Sequence, residues 1–144
     1  MNNIAIIGCT KDKKSYKCEA IELYQKSTLF QKELKYSKKI IKADDIYILS
    51  AKHHLIHSSD IIEPYDITLN GKPKSERVEW ANVSWKQMSD KFDSNNDKLF
   101  LLCGKNYYEF IEPELIKNNY LYEIPLKGKG GLGKQLQWLD QHSL

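Results

Sequence analysis

The sequence predicts an α/β fold in which a four-stranded, mainly parallel sheet lies between two layers of helices. Three observations favour this three-layer α/β/α class. Short apolar segments recur four times along the chain, amphipathic segments with helical spacing separate them, and two of the apolar segments end on a glycine. Right-handed crossovers between successive strands make the strands parallel and leave helices on both faces of the sheet.

The first half of the chain supplies two strands and a helix. Residues 3–8 are apolar, end on a glycine and have the pattern of a strand that is buried on both faces. Residues 28–42 place Phe30 and Leu34 on one side and lysines elsewhere, which is typical of an amphipathic helix. Residues 44–51 form the second apolar segment, so the order strand, helix, strand begins the predicted sheet.

The second half repeats the alternation after a polar loop that contains a glycine and a proline. The predicted elements are a helix at 75–92, a strand at 98–104, a helix at 107–118 that Pro113 kinks or restarts, a strand at 120–126 and a terminal helix. Trp80, Trp85 and Trp138 are assigned to helix packing rather than to base stacking. No internal repeat, low-complexity tract or linker interrupts this order, so we expect a single domain over residues 1–144.

Composition and charge limit the classes of function. Hydrophobic residues make up 41% of the 144 residues, which is enough for one buried core. The net charge of +3 is compatible with a polyanionic partner, but it is far below that of a strongly basic architectural DNA-binding protein. No apolar run approaches the ~18 residues that cross a bilayer, and the three cysteines suggest neither a disulfide framework nor a zinc site. We therefore expect a soluble cytoplasmic protein without a membrane partner, a metal or another cofactor.

The chemistry is expected at one edge of the sheet. In open α/β sheets, ligands bind beyond the carboxyl ends of the strands. Four polar or glycine-rich segments follow the four predicted strands, at residues 8–14, 50–66, 103–108 and 125–135. These segments together define one candidate site.

The segment after the fourth strand has the composition of an anion-binding loop. Its glycines let backbone amides crowd together, its lysines add positive charge, and the following helix offers unpaired N–H groups. It lacks the spacing and the Ser/Thr of a P-loop. The residues expected to contact DNA phosphates are Lys127, Gly128, Lys129, Gly131 and Lys134, with Lys11 from the first segment. The alternative is a flexible turn with solvated lysines.

The segment after the second strand carries the most reactive side chains. Its three histidines do not have the spacing of a metal-binding helix, so acid–base chemistry is favoured over a metal site. Glu63 and Asp66 flank a Pro-Tyr pair and are the candidate catalytic acids, with His53 and Lys52 as cationic partners. In the alternative interpretation, this segment is a surface loop whose Tyr65 packs on the core.

The same segment resembles one in the YaaA-type peroxide-stress proteins and their small DUF6884-like relatives. Their pattern runs Leu-Ser, then Tyr or His before Gly-Leu, then Asp, Pro-Tyr and Leu. Its positions are filled here by Leu49, Ser50, His53, Leu55, Asp60, Pro64, Tyr65 and Leu69, whereas His54 stands at the glycine. That family is similar in fold to the uracil-DNA glycosylase superfamily, whose third-strand and leucine-loop segments resemble residues 99–110 and 124–139.

The resemblance implies a DNA-binding cleft in which a nucleotide is flipped out of the duplex and read. Contacts to the base are then expected from Tyr65, Ser50, Cys9, Thr10 and Tyr107. Hydrolysis of an N-glycosidic bond needs a carboxylate near the sugar and cationic or N–H groups near the leaving base. Uracil is not the expected substrate, because Ile124 precedes Pro125 where uracil-excising enzymes have a histidine.

Three functions fit these residues. The first is a DNA glycosylase for a modified base, such as a hypermodified pyrimidine of phage DNA that is removed in host defence. The second is a non-catalytic DNA-binding protein of the peroxide-stress type, which needs the basic loops but neither Glu63 nor Asp66. The third is an enzyme that processes free nucleotides or nucleosides on a similar sheet. Steep weakening of binding as salt rises would separate the first two from the third.

Overall fold

A computed structural model describes residues 1–144 and shows a mixed α/β fold around one five-stranded sheet. The strands of this sheet are β1 (Asn2–Gly8), β3 (Asp45–Ser50), β4 (His54–His57), β6 (Asp97–Leu102) and β7 (Leu121–Glu123). Their order across the sheet is β4-β3-β1-β6-β7. Two short strands, β2 (Cys18–Glu19) and β5 (Ile61–Ile62), pair with each other as a separate antiparallel ribbon.

The sheet is mostly parallel, as the sequence predicts. The central strand β1 pairs in parallel with β3 on one side and with β6 on the other, and β7 continues in parallel beside β6. Only β4 runs antiparallel, beside β3. The carboxyl ends of β1, β3, β6 and β7 therefore lie at one edge of the sheet, which we call the carboxyl edge.

The sequence predicts four strands, whereas residues 54–57 add a fifth at one side of the sheet. The chain turns back after Ser50, and His54, with a φ of 64°, pairs directly with it. A four-residue strand with a histidine at each end has no apolar alternation that distinguishes it from a loop. Two of the histidines that the sequence analysis placed in a loop, His54 and His57, are consequently strand residues.

Six helices connect the strands. They are α1 (Ala20–Leu23), α2 (Thr28–Tyr36), α3 (Lys74–Lys91), α4 (Lys105–Tyr108), α5 (Glu112–Lys117) and α6 (Leu132–His142). A π-helical turn, Ser37–Ile41, extends α2, so the two together match the predicted helix at 28–42. The predicted helix at 107–118 is instead two short helices, and Pro113 lies in the first turn of α5, where its missing N–H leaves no bond unmade. None of these helices combines the length and apolar character that a membrane crossing requires.

Helices cover both faces of the sheet. On β1, Ile4 and Ile6 join a core that α3, α4 and α5 complete, whereas Ala5 and Ile7 join a core that α1, α2 and α6 complete. Successive residues of a strand point to opposite faces, so an apolar run without alternation is buried from both sides. This is the predicted α/β/α arrangement of layers.

Candidate functional site

The site is built on a close approach between two strands at the carboxyl edge. A Cβ added at Gly8 would lie 2.8 Å from Cβ of Cys103, so the ends of β1 and β6 can be this close only because residue 8 is glycine. Cys9 follows, and its N–H donates to the carbonyl of Leu49 at 2.9 Å. The N–H of Ala51 in turn donates to Cys9 Sγ at 3.3 Å. These bonds fix the half-buried Cys9 thiol between the ends of β1 and β3.

Three tyrosines, Tyr24, Tyr65 and Tyr107, surround this thiol, and we call them the tyrosine cluster. The hydroxyls of Tyr24 and Tyr65 lie 2.6 Å apart, and Ser50 Oγ donates to the Tyr65 hydroxyl at 2.8 Å. Burial raises the pKa of Tyr24 and of Tyr65, so both phenols keep their protons at neutral pH. The hydrogen bonds hold the residue 63–66 turn against the end of β3.

Ser50 organises the turn between β3 and β4 from a fully buried position. Its Oγ accepts the N–H of His53 at 2.9 Å and the N–H of Lys52 at 3.2 Å. Its carbonyl accepts the indole N–H of Trp80 at 3.0 Å, which ties α3 to the same point. The structure therefore gives Ser50 a positioning role beneath the surface of the site.

Tyr107, at the start of α4, links a third strand end to the cluster. Its hydroxyl lies 3.5 Å from Cys9 Sγ and accepts the N–H of Leu69 at 3.3 Å. Its ring packs edge-on against Trp80 with the centroids 5.4 Å apart. The tyrosine cluster thus connects the segments that follow β1, β3 and β6, as the sequence analysis expected of these loops.

Lys13 places a cation on the tyrosine cluster. Its Nζ lies 4.6 Å from the ring centroid of Tyr65 and 6.0 Å from that of Tyr24. Burial lowers the pKa of Lys13, while the negative charges that Cys9 and Asp66 can carry act in the opposite direction. Asp66 is exposed and forms no ion pair with Lys13, but its charge acts on the pKa of that lysine, so both groups belong to the rim of the cluster.

The other predicted catalytic residues lie at different distances from this rim. His53 packs edge-on against Tyr65 with the ring centroids 5.5 Å apart, and burial followed by the charge of Lys52 lowers the pKa of His53. The side chains of Lys52 and Glu63 are exposed and make no hydrogen bond or ion pair. The structure therefore brings His53 into contact with Tyr65, the residue that directly precedes Asp66.

The segment after β1 runs from the cluster into solvent. Thr10 is half-buried, and its Oγ1 lies 3.5 Å from the carbonyl of Asp12. Lys11 is exposed, and its carbonyl accepts a hydrogen bond from Lys13 Nζ at 3.2 Å. This segment therefore orients Lys13 through its own backbone.

The histidines after β3 serve separate partners. His57 lies 2.8 Å from a carboxylate oxygen of Asp45, and His54 stacks on Trp80 with the centroids 6.1 Å apart. No three His, Cys, Asp or Glu side chains lie close enough together to hold a metal ion. These side chains thus contribute to packing and ion pairing at the edge of β4.

The glycine–lysine loop, residues 127–134, follows β7 at the same carboxyl edge. Gly128 and Gly130 have φ values of 76° and 96°, which favour glycine strongly over other residues. Lys127 pairs with Glu112 at 2.8 Å, a hydrogen bond that raises the pKa of Lys127. Lys129 lies over the ring of Trp138, 5.5 Å from the centroid. Two of the predicted phosphate-binding lysines thus already have partners within the chain.

The loop ends in an uncapped helix N-terminus. Gly131 is the extended N-cap of α6, and no side chain caps the helix. The N–H groups of residues 132–134 have no acceptor in the chain, and Lys134 beside them is exposed. Free N–H groups and a helix dipole favour the binding of anions. Two strands separate β7 from β3 in the sheet, so these two strands lie roughly 14 Å apart.

A cavity of about 330 Å³ opens beside the carboxyl edge on the α3 side. Its walls include Ala51, His54, Ile67, Leu69, Trp80 and Val83. Ile67 and Val83 are each 41% exposed, so the cavity presents apolar surface to solvent. Glu76 and Glu79 add carboxylates at its side. The walls suit a flat molecule with both apolar and polar edges.

Sequence reasoning missed two residues of the site, Tyr24 and Lys13. It also missed the structural role of Trp80. Tyr24 and Lys13 lie between residues 11 and 27, where neither helical nor strand spacing is sustained. Trp80 is buried in the core, as predicted, and its indole N–H additionally supports the turn at the end of β3. The only signal for Lys13 is the lysine-rich segment after the first glycine.

Comparison with known proteins gives one match. The model of a family described as a family of unknown function, DUF6884, matches residues 4–141. No curated protein and no solved structure shows a significant match to the chain. The matched residues include every segment of the carboxyl edge described above.

Proposed function

We propose that this chain, which belongs to the DUF6884 family, is a DNA glycosylase that hydrolyses the N-glycosidic bond of a modified base other than uracil. The observation that carries the proposal is the position of Lys13 over the ring of Tyr65, the residue directly before Asp66, at the rim of the tyrosine cluster. A carboxylate and a cation at one point match the two charges that develop when this bond breaks.

The proposed chemistry separates charge between the sugar and the base. The oxygen of a water molecule bonds to C1′ while the electrons of the glycosidic bond leave with the base. Asp66 stabilises the positive sugar and accepts a proton from the water, while Lys13 and His53 face the departing base. We favour Asp66 over Glu63, because only Asp66 lies near a cation of the cluster.

The cavity on the α3 side, whose walls include neither Lys13 nor His53, is the place we propose for the added group of the modified base. The hydroxyl of Tyr65 is already hydrogen-bonded and Lys13 covers its ring, so we assign this tyrosine a positioning role instead of a stacking role. Ile67 and Val83 would be covered by the flipped base, and His54 and Trp80 would form the inner wall. Residues 66 and 67 are adjacent, so the sugar would remain beside Asp66.

The free N-terminus of α6 is the proposed phosphate site. Its unpaired N–H groups and Lys134 would hold a phosphate of the strand that contains the target nucleotide. A phosphate held there would fix the register of the DNA and leave recognition of the base to the cavity.

The substrate we propose is a hypermodified pyrimidine of phage DNA, which would make the protein a cytoplasmic defence enzyme. The proposed likeness to the uracil-DNA glycosylase superfamily supports the flipping of a nucleotide out of a duplex. Uracil is disfavoured because Ile124 stands before Pro125, where an excision enzyme for uracil carries histidine. A cavity with exposed apolar walls suits a base that carries an added group.

The test incubates the protein with unmodified, uracil-containing and phage-modified duplexes and then cuts abasic sites with alkali. Abasic sites should form only in the modified DNA. Asp66→Asn should abolish their formation without loss of binding, whereas the matched variant Glu63→Gln should retain it. Equal activity of the two variants would contradict the role given to Asp66.

A second candidate function is recognition of distorted DNA without catalysis. The observation that favours it is the exposure of both Asp66 and Glu63, since a solvated carboxylate lacks the desolvation that tunes many catalytic acids. Such a protein would use the lysines and the α6 terminus alone. Tight, salt-sensitive binding to DNA without abasic sites in any duplex would support it.

A further inference from the structure

A strongly basic groove runs along the outer side of α2, outside the site described above. Its walls consist of Gln25, Gln31, Leu34, Lys35, Lys38 and Lys39, which we call the α2 lysine groove. Its volume is about 520 Å³, and a single apolar side chain contributes to the walls. The lysines among the walls favour an anionic ligand.

The three lysines of the groove have no counter-charge. Lys35, Lys38 and Lys39 are exposed, and none of them forms an ion pair or a hydrogen bond, whereas Lys32 on the same helix pairs with Asp140. No acidic residue contributes to the walls. Like charges that share a groove repel one another unless an external anion neutralises them, and a wall of one sign concentrates such anions.

The course of the backbone presents these lysines together. α2 buries Phe30 and Leu34, and the π-helical turn that extends it buries Ser37 and Ile41. Lys35, Lys38 and Lys39 are exposed residues of the same continuous helix and line the groove beside Leu34. From Gln31 to Lys39 the helix rises roughly 12 Å, which spans about three phosphates of one DNA strand.

The groove begins next to the proposed catalytic site. Gln25 follows Tyr24, a member of the tyrosine cluster, and the side chain of Gln31 donates to the carbonyl of Gln25. Gln25 thus joins the groove to the segment that carries Tyr24, which is itself buried. This continuity favours the DNA that occupies the site over an unrelated anion.

We infer that the α2 lysine groove binds backbone phosphates of the DNA that flanks the target nucleotide. This inference rests on the proposed function, because the same duplex occupies both surfaces. Three lysines without partners would release about three counterions on binding, so the groove would supply affinity and salt sensitivity but no sequence preference.

The test compares two variants of the whole chain that lose the same charge. K35Q/K38Q/K39Q removes the charge of the groove, and K86Q/K91Q/K117Q removes three exposed lysines that lie on α3 and α5, across the sheet from α2. The Kd for a duplex of about 30 base pairs is measured from roughly 50 to 200 mM salt. Thermal melting confirms that both variants fold.

The groove variant should lose about 2 to 3 from the slope of log Kd against log salt, while the control variant should lose less than about 1. Equal losses in the two variants, or no loss in the groove variant, would overturn the inference. So would a wild-type protein that binds phosphatidylserine vesicles through these lysines but does not bind duplex DNA. If the triple variant does not fold, each single Lys→Gln variant should lose about 0.9 from the slope.

Base release separates this inference from the proposed function. At protein concentrations that saturate the DNA, the groove variant should release the base at the wild-type rate, because none of its lysines contacts the tyrosine cluster. Loss of salt slope in the groove variant, with no base release by the wild type, would refute the glycosylase and retain the groove. Base release by the wild type, with an unchanged salt slope in the groove variant, would support the glycosylase and refute the groove.

Discussion

The hydroxyl oxygens of Tyr24 and Tyr65 lie 2.6 Å apart, and the second of them also accepts the hydroxyl of Ser50 at 2.8 Å. This chain of hydrogen bonds joins α1, the end of β3 and the turn that carries Asp66. Because Tyr65 directly precedes Asp66, the position of the proposed catalytic carboxylate depends on a half-buried phenol. The first prediction concerns that phenol.

Tyr65→Phe should lower both stability and activity. The change removes one hydroxyl, which leaves the Tyr24 hydroxyl without a partner and the Ser50 hydroxyl without its acceptor, at a cost of about 1–3 kcal/mol. We expect a melting temperature lower by several degrees and slower base release, because the Asp66 turn loosens. Tyr16→Phe is the matched control, since Tyr16 is 56% exposed and lies outside the tyrosine cluster. Equal melting temperatures for the two variants would contradict this account.

Gly8→Ala should destabilise the chain because its Cβ would lie 2.8 Å from Cβ of Cys103. Overpacking of this kind costs about 1–3 kcal/mol, and chemical unfolding in urea measures it. Cys103→Gly should partly restore stability in the double variant, because it removes the clashing atom. Gly133→Ala serves as the control: no atom lies within 4 Å of the added Cβ, and alanine favours the helix. A stable Gly8→Ala variant would refute the close contact.

The buried carboxyl of Glu33 should make stability decrease as pH rises. Glu33 is 2% exposed, and its side-chain carboxyl forms no hydrogen bond or ion pair. Burial raises the pKa of this carboxyl well above 4.5. Below pH 4.5 the group is protonated in both the folded and unfolded states. Above it the unfolded chain ionises first, so the folded state loses up to about 1.4 kcal/mol per pH unit until the folded pKa is reached.

Glu33→Gln should therefore be more stable than the wild type at neutral pH, and the difference should shrink toward zero as pH falls to 4.5. Urea unfolding at a series of pH values measures this difference. Glu79→Gln, which changes an exposed glutamate of α3, should show no such trend. A difference that grows on acidification would show that the folded state favours the charged form of Glu33.

A side-chain cap at the N-terminus of α6 should not lower the stability of the chain, but a negative charge there should weaken DNA binding. Gly131 is an extended N-cap without a side-chain acceptor, so Asn or Asp there should leave stability unchanged or raise it by a few tenths of a kcal/mol. Gly131→Asp should nevertheless weaken DNA binding about tenfold or more, because its carboxylate occupies the place of a phosphate. Gly131→Asn, which lacks the charge, should weaken it less. Equal affinities for the two variants would place the phosphate elsewhere.

The fold was largely predictable from the sequence because its central strands are buried on both faces. Ile4 to Ile7 form an unbroken apolar run that only a covered strand can accommodate, and Gly8 marks its end. The antiparallel β4 was not predictable, because its four residues alternate no apolar side chains and begin at a histidine in the left-handed region. The sequence of these four residues does not show that β4 pairs with β3, the strand that stabilises it.

The candidate site was predictable in position but not in its contacts. A parallel sheet fixes where the strand ends lie, so the segments that carry Cys9, Tyr65 and Tyr107 were expected together. Lys13 and Tyr24 join them through a segment without regular spacing, and their contacts depend on how that segment folds over the sheet. The composition of the glycine–lysine loop predicted lysines that are available to phosphates, but Lys127 is paired with Glu112 of α5. The composition of the loop does not show which helix lies beside it.

The central claim is tested most directly by single-turnover release of the modified base, followed by mass spectrometry, with the wild type and Asp66→Asn. The account predicts that the wild type releases the free base and leaves an abasic site. It predicts that the rate of base release falls by about 100-fold or more in Asp66→Asn, while the Kd for the duplex stays close to that of the wild type. Release at the wild-type rate by Asp66→Asn, or tight binding by a wild type that releases no base, would contradict it.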